Sequence, residues 1–69
     1  MMKIVNQLGY IRTVMGLSQE QLARKTGIDR RMISDIERYV KIPTLKQALL
    51  LSKALKCSVN DIFILDDKK

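Results

Sequence analysis

The chain has no histidine and no tryptophan, one cysteine, one proline, and only three aromatic side chains, Tyr10, Tyr39 and Phe63, set far apart. Without histidine, and with Cys57 alone, it lacks the common zinc ligand sets, a Ser/His or Cys/His nucleophilic pair, and an internal disulfide. No metal, no cofactor and no enzymatic activity are therefore expected. With so few aromatics the core must be aliphatic, which suits helices. A domain this small without a disulfide points to a reducing cytoplasm and to stability gained by oligomerising. Long apolar runs are missing too: Ala48 to Leu51 and Ile62 to Leu65 are the longest, at four residues each. Neither can span a membrane, and Met1-Met2-Lys3-Ile4 does not open a signal peptide.

Acidic charge is also scarce, 7 Asp+Glu against 13 Lys+Arg, so 69 residues carry a formal net charge of +6. The length fits a single domain over residues 1–69. All the arginines, Arg12, Arg24, Arg30, Arg31 and Arg38, fall before Val40, whereas every cation from Ile42 onward is a lysine. Arginine is the side chain that forks onto phosphates and guanine edges, so the first part of the chain is where a nucleic-acid surface is expected.

Start and stop signals divide the chain into five short helices. Ser18-Gln19-Glu20-Gln21, Thr44-Leu45-Lys46-Gln47 and Ser58-Val59-Asn60-Asp61 each set a hydroxyl three residues ahead of a side chain that can reach back, the pattern of a capping box. Gly16 and Gly27 close helices in the left-handed conformation, and Pro43 stops what precedes it. The predicted helices run from about Asn6 to Met15, from about Gln19 to Thr26, from the Asp29 cap onward, through Leu45 to Leu55, and from Val59 to about Phe63. The first has Leu8, Ile11 and Met15 on one face, and the fourth has Leu45, Ala48, Leu49, Ser52 and Leu55 on one stripe. Asp66 to Lys69 reads as a loose tail.

The third helix is the informative one. At about 100° per residue, Met32, Ile33, Ile36 and Val40 gather on one arc, while Arg30, Arg31, Ser34, Asp35, Glu37 and Arg38 fill the other. It follows the second helix after the short turn Gly27-Ile28-Asp29. Two helices so joined, the second with a core face and a basic polar face, make a helix-turn-helix over about residues 18–38, in which the second helix enters the DNA major groove.

Arg12, Gly16-Leu17-Ser18-Gln19-Glu20-Gln21-Leu22-Ala23, Gly27-Ile28, Ile33-Ser34, Ile36-Glu37, Pro43-Thr44-Leu45, Ala54-Leu55 and Ser58-Val59 together resemble the phage-repressor-like, xenobiotic-response-element type of helix-turn-helix regulator, over roughly residues 6–63. The resemblance implies an all-α, compact five-helix, lambda-repressor-like domain. In some compact members the two termini add a short antiparallel β ribbon, for which Lys3-Ile4-Val5 and Phe63-Ile64-Leu65 are suited. By the same resemblance Arg30, Arg31 and Asp35 read bases with Ser34 beside them, and Gln19 bonds a phosphate while bracing the first residue of the recognition helix. Lys41, Thr44 and Arg38 are the further phosphate candidates. Asp35 is also placed to pair with Arg31 at i, i+4 and aim it.

Arg12 and Glu37 match a largely buried ion pair between the first and third helices, whose disruption costs about 3 to 5 kcal/mol. Two positions depart from the pattern: Tyr39 and Lys56 stand where glycine is usual, so either a non-glycine residue takes positive φ or the helices end differently. Cys57 reads as buried filler. Ile4, Ile62, Ile64 and Leu65 are the expected dimer surface. The function implied is a cytoplasmic, sequence-specific regulator of transcription that binds double-stranded DNA as a homodimer on a near-palindromic operator and represses. The competing reading is an antitoxin-like module that binds a partner protein and autoregulates its operon.

Overall fold

The computed structural model describes residues 3–67. Its helices are α1 (Leu8–Val14), α2 (Gln19–Thr26), α3 (Arg30–Glu37), α4 (Leu45–Leu55) and α5 (Val59–Ile62), and strand β1 (Lys3–Asn6), before α1, pairs with strand β2 (Phe63–Asp66), after α5. The strands are antiparallel, with Lys3 opposite Asp66, Ile4 opposite Leu65, Val5 opposite Ile64 and Asn6 opposite Phe63.

Local chemistry sets the helix boundaries. Ser18, Thr44 and Ser58 each accept a hydrogen bond from the backbone N–H three residues on, and Gln21, Gln47 and Asp61 each bond back to the cap, so all three capping boxes form. Gly27 ends α2 at φ 77°, and Gly16 follows α1 at φ 75°. Tyr39 and Lys56 adopt the left-handed conformation without being glycine, at φ 66° and 56°. The chain thus keeps the usual helix endings at those two positions and accepts their strain.

The core is aliphatic. Leu8, Leu22, Ile28, Ile33, Ile36, Leu51, Leu55 and Ile62 form one buried cluster drawn from all five helices and the α2–α3 turn. Thr26 is buried beside it, its hydroxyl donating to Leu22 O at 2.9 Å and accepting from Ile28 N–H at 3.1 Å, which fixes the turn leading to α3.

Several expectations need correction. Helix α1 begins two residues late because Asn6 belongs to β1: its Oδ1 accepts from Leu8 N–H at 3.1 Å and its Nδ2 donates to Ile36 O at 2.9 Å. Helix α5 stops at Ile62, since Phe63 is already extended and opens β2. Asp66, assigned to a loose tail, pairs in the ribbon, while Lys68 and Lys69 of that tail lie outside the described residues. On α4 the buried stripe is Ala48, Leu51 and Leu55, whereas Leu45 and Leu49 are 76% and 55% exposed. Val40 is likewise exposed, because α3 ends at Glu37 and Val40 lies in the following loop rather than on the helix arc.

Candidate nucleic-acid interface

Helix α3 is launched by Asp29, whose carboxylate accepts the Arg31 backbone N–H at 3.2 Å. Ile33 and Ile36 then anchor one face of α3 in the core, so the first turn leaves Arg30 and Arg31 exposed. Ser34, one turn further, is half-buried.

Behind this turn lies a polar relay. Arg12 Nε donates to Glu37 Oε2 at 2.7 Å and Arg12 Nη2 to Glu37 Oε1 at 3.1 Å, a bidentate pair joining α1 to the end of α3. Arg12 Nη1 also donates to Leu17 O at 2.8 Å, tying in the α1–α2 turn. The hydrogen bond to Glu37 raises the Arg12 pKa against the opposing effect of burial, with the charge of Glu37 adding to the rise. Glu37 Oε1 accepts a further bond from Gln19 Nε2 at 3.1 Å, and Gln19 Oε1 receives Arg30 Nη1 at a long 3.5 Å. Gln19 therefore links the internal ion pair to the first residue of α3 and keeps its second amide N–H for an outside acceptor.

Asp35 does not stand with the base-reading candidates. Its side chain is only 9% exposed, its carboxylate is bound by Arg38 Nη2 at 3.2 Å and faces Lys41 Nζ at 3.7 Å, and Arg31 is not its partner. The loop after α3 folds back over it, which a helix projection alone does not foresee. Arg38 and Lys41 remain exposed at the C-terminal end of α3, and Thr44 opens α4 nearby in sequence. The Thr44 hydroxyl oxygen and backbone N–H are both engaged with Gln47 in the capping box, at 3.1 and 3.0 Å, leaving the hydroxyl proton available.

The apolar candidates divide as well. Ile4 and Leu65 are cross-strand partners on one face of the ribbon, whereas Ile64, opposite Val5, takes the other. All three are exposed, but Ile62 is fully buried in the core and contributes no surface, because α5 turns it inward before the strand begins. Ile42, Leu45 and Leu49 are further exposed apolar side chains, although helical spacing sets Leu45 and Leu49 on one stripe with the buried Ala48 and Leu55.

Comparison with known proteins places this geometry. A family model described as helix-turn-helix matches residues 8–62. An uncharacterized HTH-type transcriptional regulator of Methanocaldococcus jannaschii is 40% identical over 62 residues, covering 90% of this chain and 94% of its own. Among solved structures, the restriction-modification controller protein C.AhdI from Aeromonas hydrophila superposes with a TM-score of 0.76 at 36% identity, over 80% of this chain and 83% of that one. A SinR protein/SinI protein complex gives 0.75 at 29% identity, over 78% of this chain and 53% of the matched one.

Proposed function

This chain belongs to the helix-turn-helix family of phage-repressor-like transcription regulators, and from that premise we propose that it is a homodimeric repressor that reads a near-palindromic operator with α3. The observation that carries the reading is the first turn of α3: Arg30 and Arg31 face outward, and Gln19 couples Arg30 to the Arg12–Glu37 pair. Each guanidinium presents the two-pronged donor set that matches guanine O6 and N7, with Ser34 beside them as a lesser donor. Gln19, Arg38, Lys41 and Thr44 bind the flanking phosphates and fix the angle of α3 in the groove.

The dimer draws on exposed apolar side chains of the ribbon, Ile4 and Leu65 on one face and Ile64 on the other. A twofold axis sets two recognition helices about 34 Å apart, one turn of B-DNA. Occupancy of a promoter by such a dimer excludes polymerase.

The test is selection of bound duplexes from a random DNA pool by the purified protein at near-physiological salt. A twofold-symmetric site with guanines in each half supports the reading. Recovery of DNA with no enriched sequence contradicts it. The second reading, an antitoxin-like module that binds a partner protein, is favoured by the exposed Ile42, Leu45 and Leu49 and predicts a stable heterocomplex when the chain is co-expressed with the product of a neighbouring gene.

A further inference from the structure

Asp35 grips the turn that follows α3 in two ways. Its carboxylate holds Arg38 through Oδ1 and faces Lys41 through Oδ2, at 3.2 and 3.7 Å. Its backbone carbonyl accepts the N–H groups of both Val40 and Lys41, at 2.8 and 3.2 Å. The same turn contains Tyr39 at positive φ, and it is held from the far side as well: the Asn6 N–H donates to the Tyr39 hydroxyl and that hydroxyl donates to Asn6 O, both at 3.2 Å. Residues 38–41 are thus clamped between a carboxylate on α3 and the backbone of β1.

We infer that Asp35 is a positioning residue for the DNA backbone: it holds Arg38 and Lys41 at a fixed spacing before DNA arrives, so that both meet phosphates without first being ordered. The inference rests on the reading of Arg38 and Lys41 as phosphate contacts. Both side chains are well exposed, 65% and 58%, and a free surface cation loses rotamer freedom when it docks. One oriented by a shielded carboxylate has lost much of that freedom already. The contact to Asp35 does not exhaust their donors, since a guanidinium has five N–H groups and an ammonium three. Asp35 itself is acceptor-only and shielded, so it offers little to a base edge.

Charge alone predicts the opposite effect, which makes the inference testable. Replacing Asp35 with Asn removes a negative charge next to a polyanion, and on electrostatics alone this tightens binding. On the positioning account, Asp35→Asn weakens binding to the selected operator about tenfold, the ordering cost of two side chains. It also flattens the dependence of log K on log salt, although net charge has risen. Adding Arg38→Gln to Asp35→Asn then changes little, whereas Arg38→Gln and Lys41→Gln in the wild-type background each lower the salt slope by about one.

Equal or tighter binding by Asp35→Asn, with the slope unchanged, overturns the positioning role while leaving the phosphate contacts in place. An unchanged slope for both Arg38→Gln and Lys41→Gln removes those contacts and the inference with them. A readout that needs no variant to fold is the free wild-type protein itself, in which the Arg38 side-chain N–H groups are expected to have higher NMR order parameters than those of Arg31. Equal mobility of the two also overturns the inference.

Discussion

Glu37 accepts three hydrogen bonds from two other elements: two from Arg12 on α1 and one from Gln19 on α2. Gly9 fits this arrangement, because a Cβ there would stand 3.1 Å from Glu37 Oε1, the atom that Arg12 Nη2 and Gln19 Nε2 both hold. Truncating Arg12→Ala strands the carboxylate, and since the two side chains keep 17% and 13% exposure, the expected loss is about 3 kcal/mol, the lower end for a buried pair. Urea denaturation measures it, and a loss under about 1 kcal/mol, the value of a surface pair, would show that the pair is not structural. Cys57 gives a second prediction. Burial, and secondarily the negative charge of Asp61, push its thiol pKa up, so the thiolate fraction at mildly alkaline pH is smaller in the folded chain than in the unfolded one. Iodoacetamide should alkylate folded protein more slowly than urea-unfolded protein at the same pH, and the gap should narrow as pH rises through the folded pKa. Residue by residue, the sequence was legible where a partner lies within one helical turn, as for the Ser18 and Thr44 caps. Arg12 and Glu37 are 25 positions apart, and only the family resemblance suggested their pairing. The shielding of Asp35 by Arg38 and Lys41 is not legible in the sequence, because angular position on α3 says nothing about the loop that folds back over it.

At the scale of elements, the starts of α2, α4 and α5 were readable because a capping box is local chemistry, whereas the start of α1, which has no side-chain cap, and the buried side of α4 were not. That helix carries leucine or alanine around much of its circumference, including Leu45, Ala48, Leu49, Leu50, Leu51, Ala54 and Leu55, so its spacing admits more than one apolar stripe. The choice among them is made by α2 and α5, against which α4 packs. The two helix ends at Tyr39 and Lys56 look alike in φ but differ in what the side chain does. Lys56 is exposed with no side-chain partner among the described residues, so Lys56→Gly relieves left-handed strain and should stabilise the chain by about 1 kcal/mol. Tyr39→Gly relieves the same strain but loses both hydrogen bonds to Asn6, so thermal melts should show no comparable gain. Equal stabilisation by the two would mean that the Tyr39 hydroxyl contributes nothing to holding β1 against α3.

For the molecule as a whole, the ribbon joins the segment before α1 to the segment after α5. Gln7 N–H donates to Ile62 O at 2.8 Å, continuing the strand pairing up to the first helix, and the Tyr39 hydroxyl then ties that edge to the turn behind α3. The surface proposed for dimerisation is therefore mechanically continuous with the one proposed for DNA. The number and order of the helices were legible from their local start and stop signals, and the ribbon only through the family resemblance; the exposed apolar surface was not legible, since a leucine's exposure depends on what packs beside it. The central claim is that Arg31 reads a base from the first turn of α3. The most direct measurement is the affinity of wild type and Arg31→Ala for the selected operator and for duplexes changed one base pair at a time, at fixed salt. The account predicts a loss of about 1–3 kcal/mol for Arg31→Ala, with discrimination abolished at one position in each half-site and kept elsewhere. A uniform loss across all duplexes, with every base preference intact, would contradict it and make Arg31 a backbone contact.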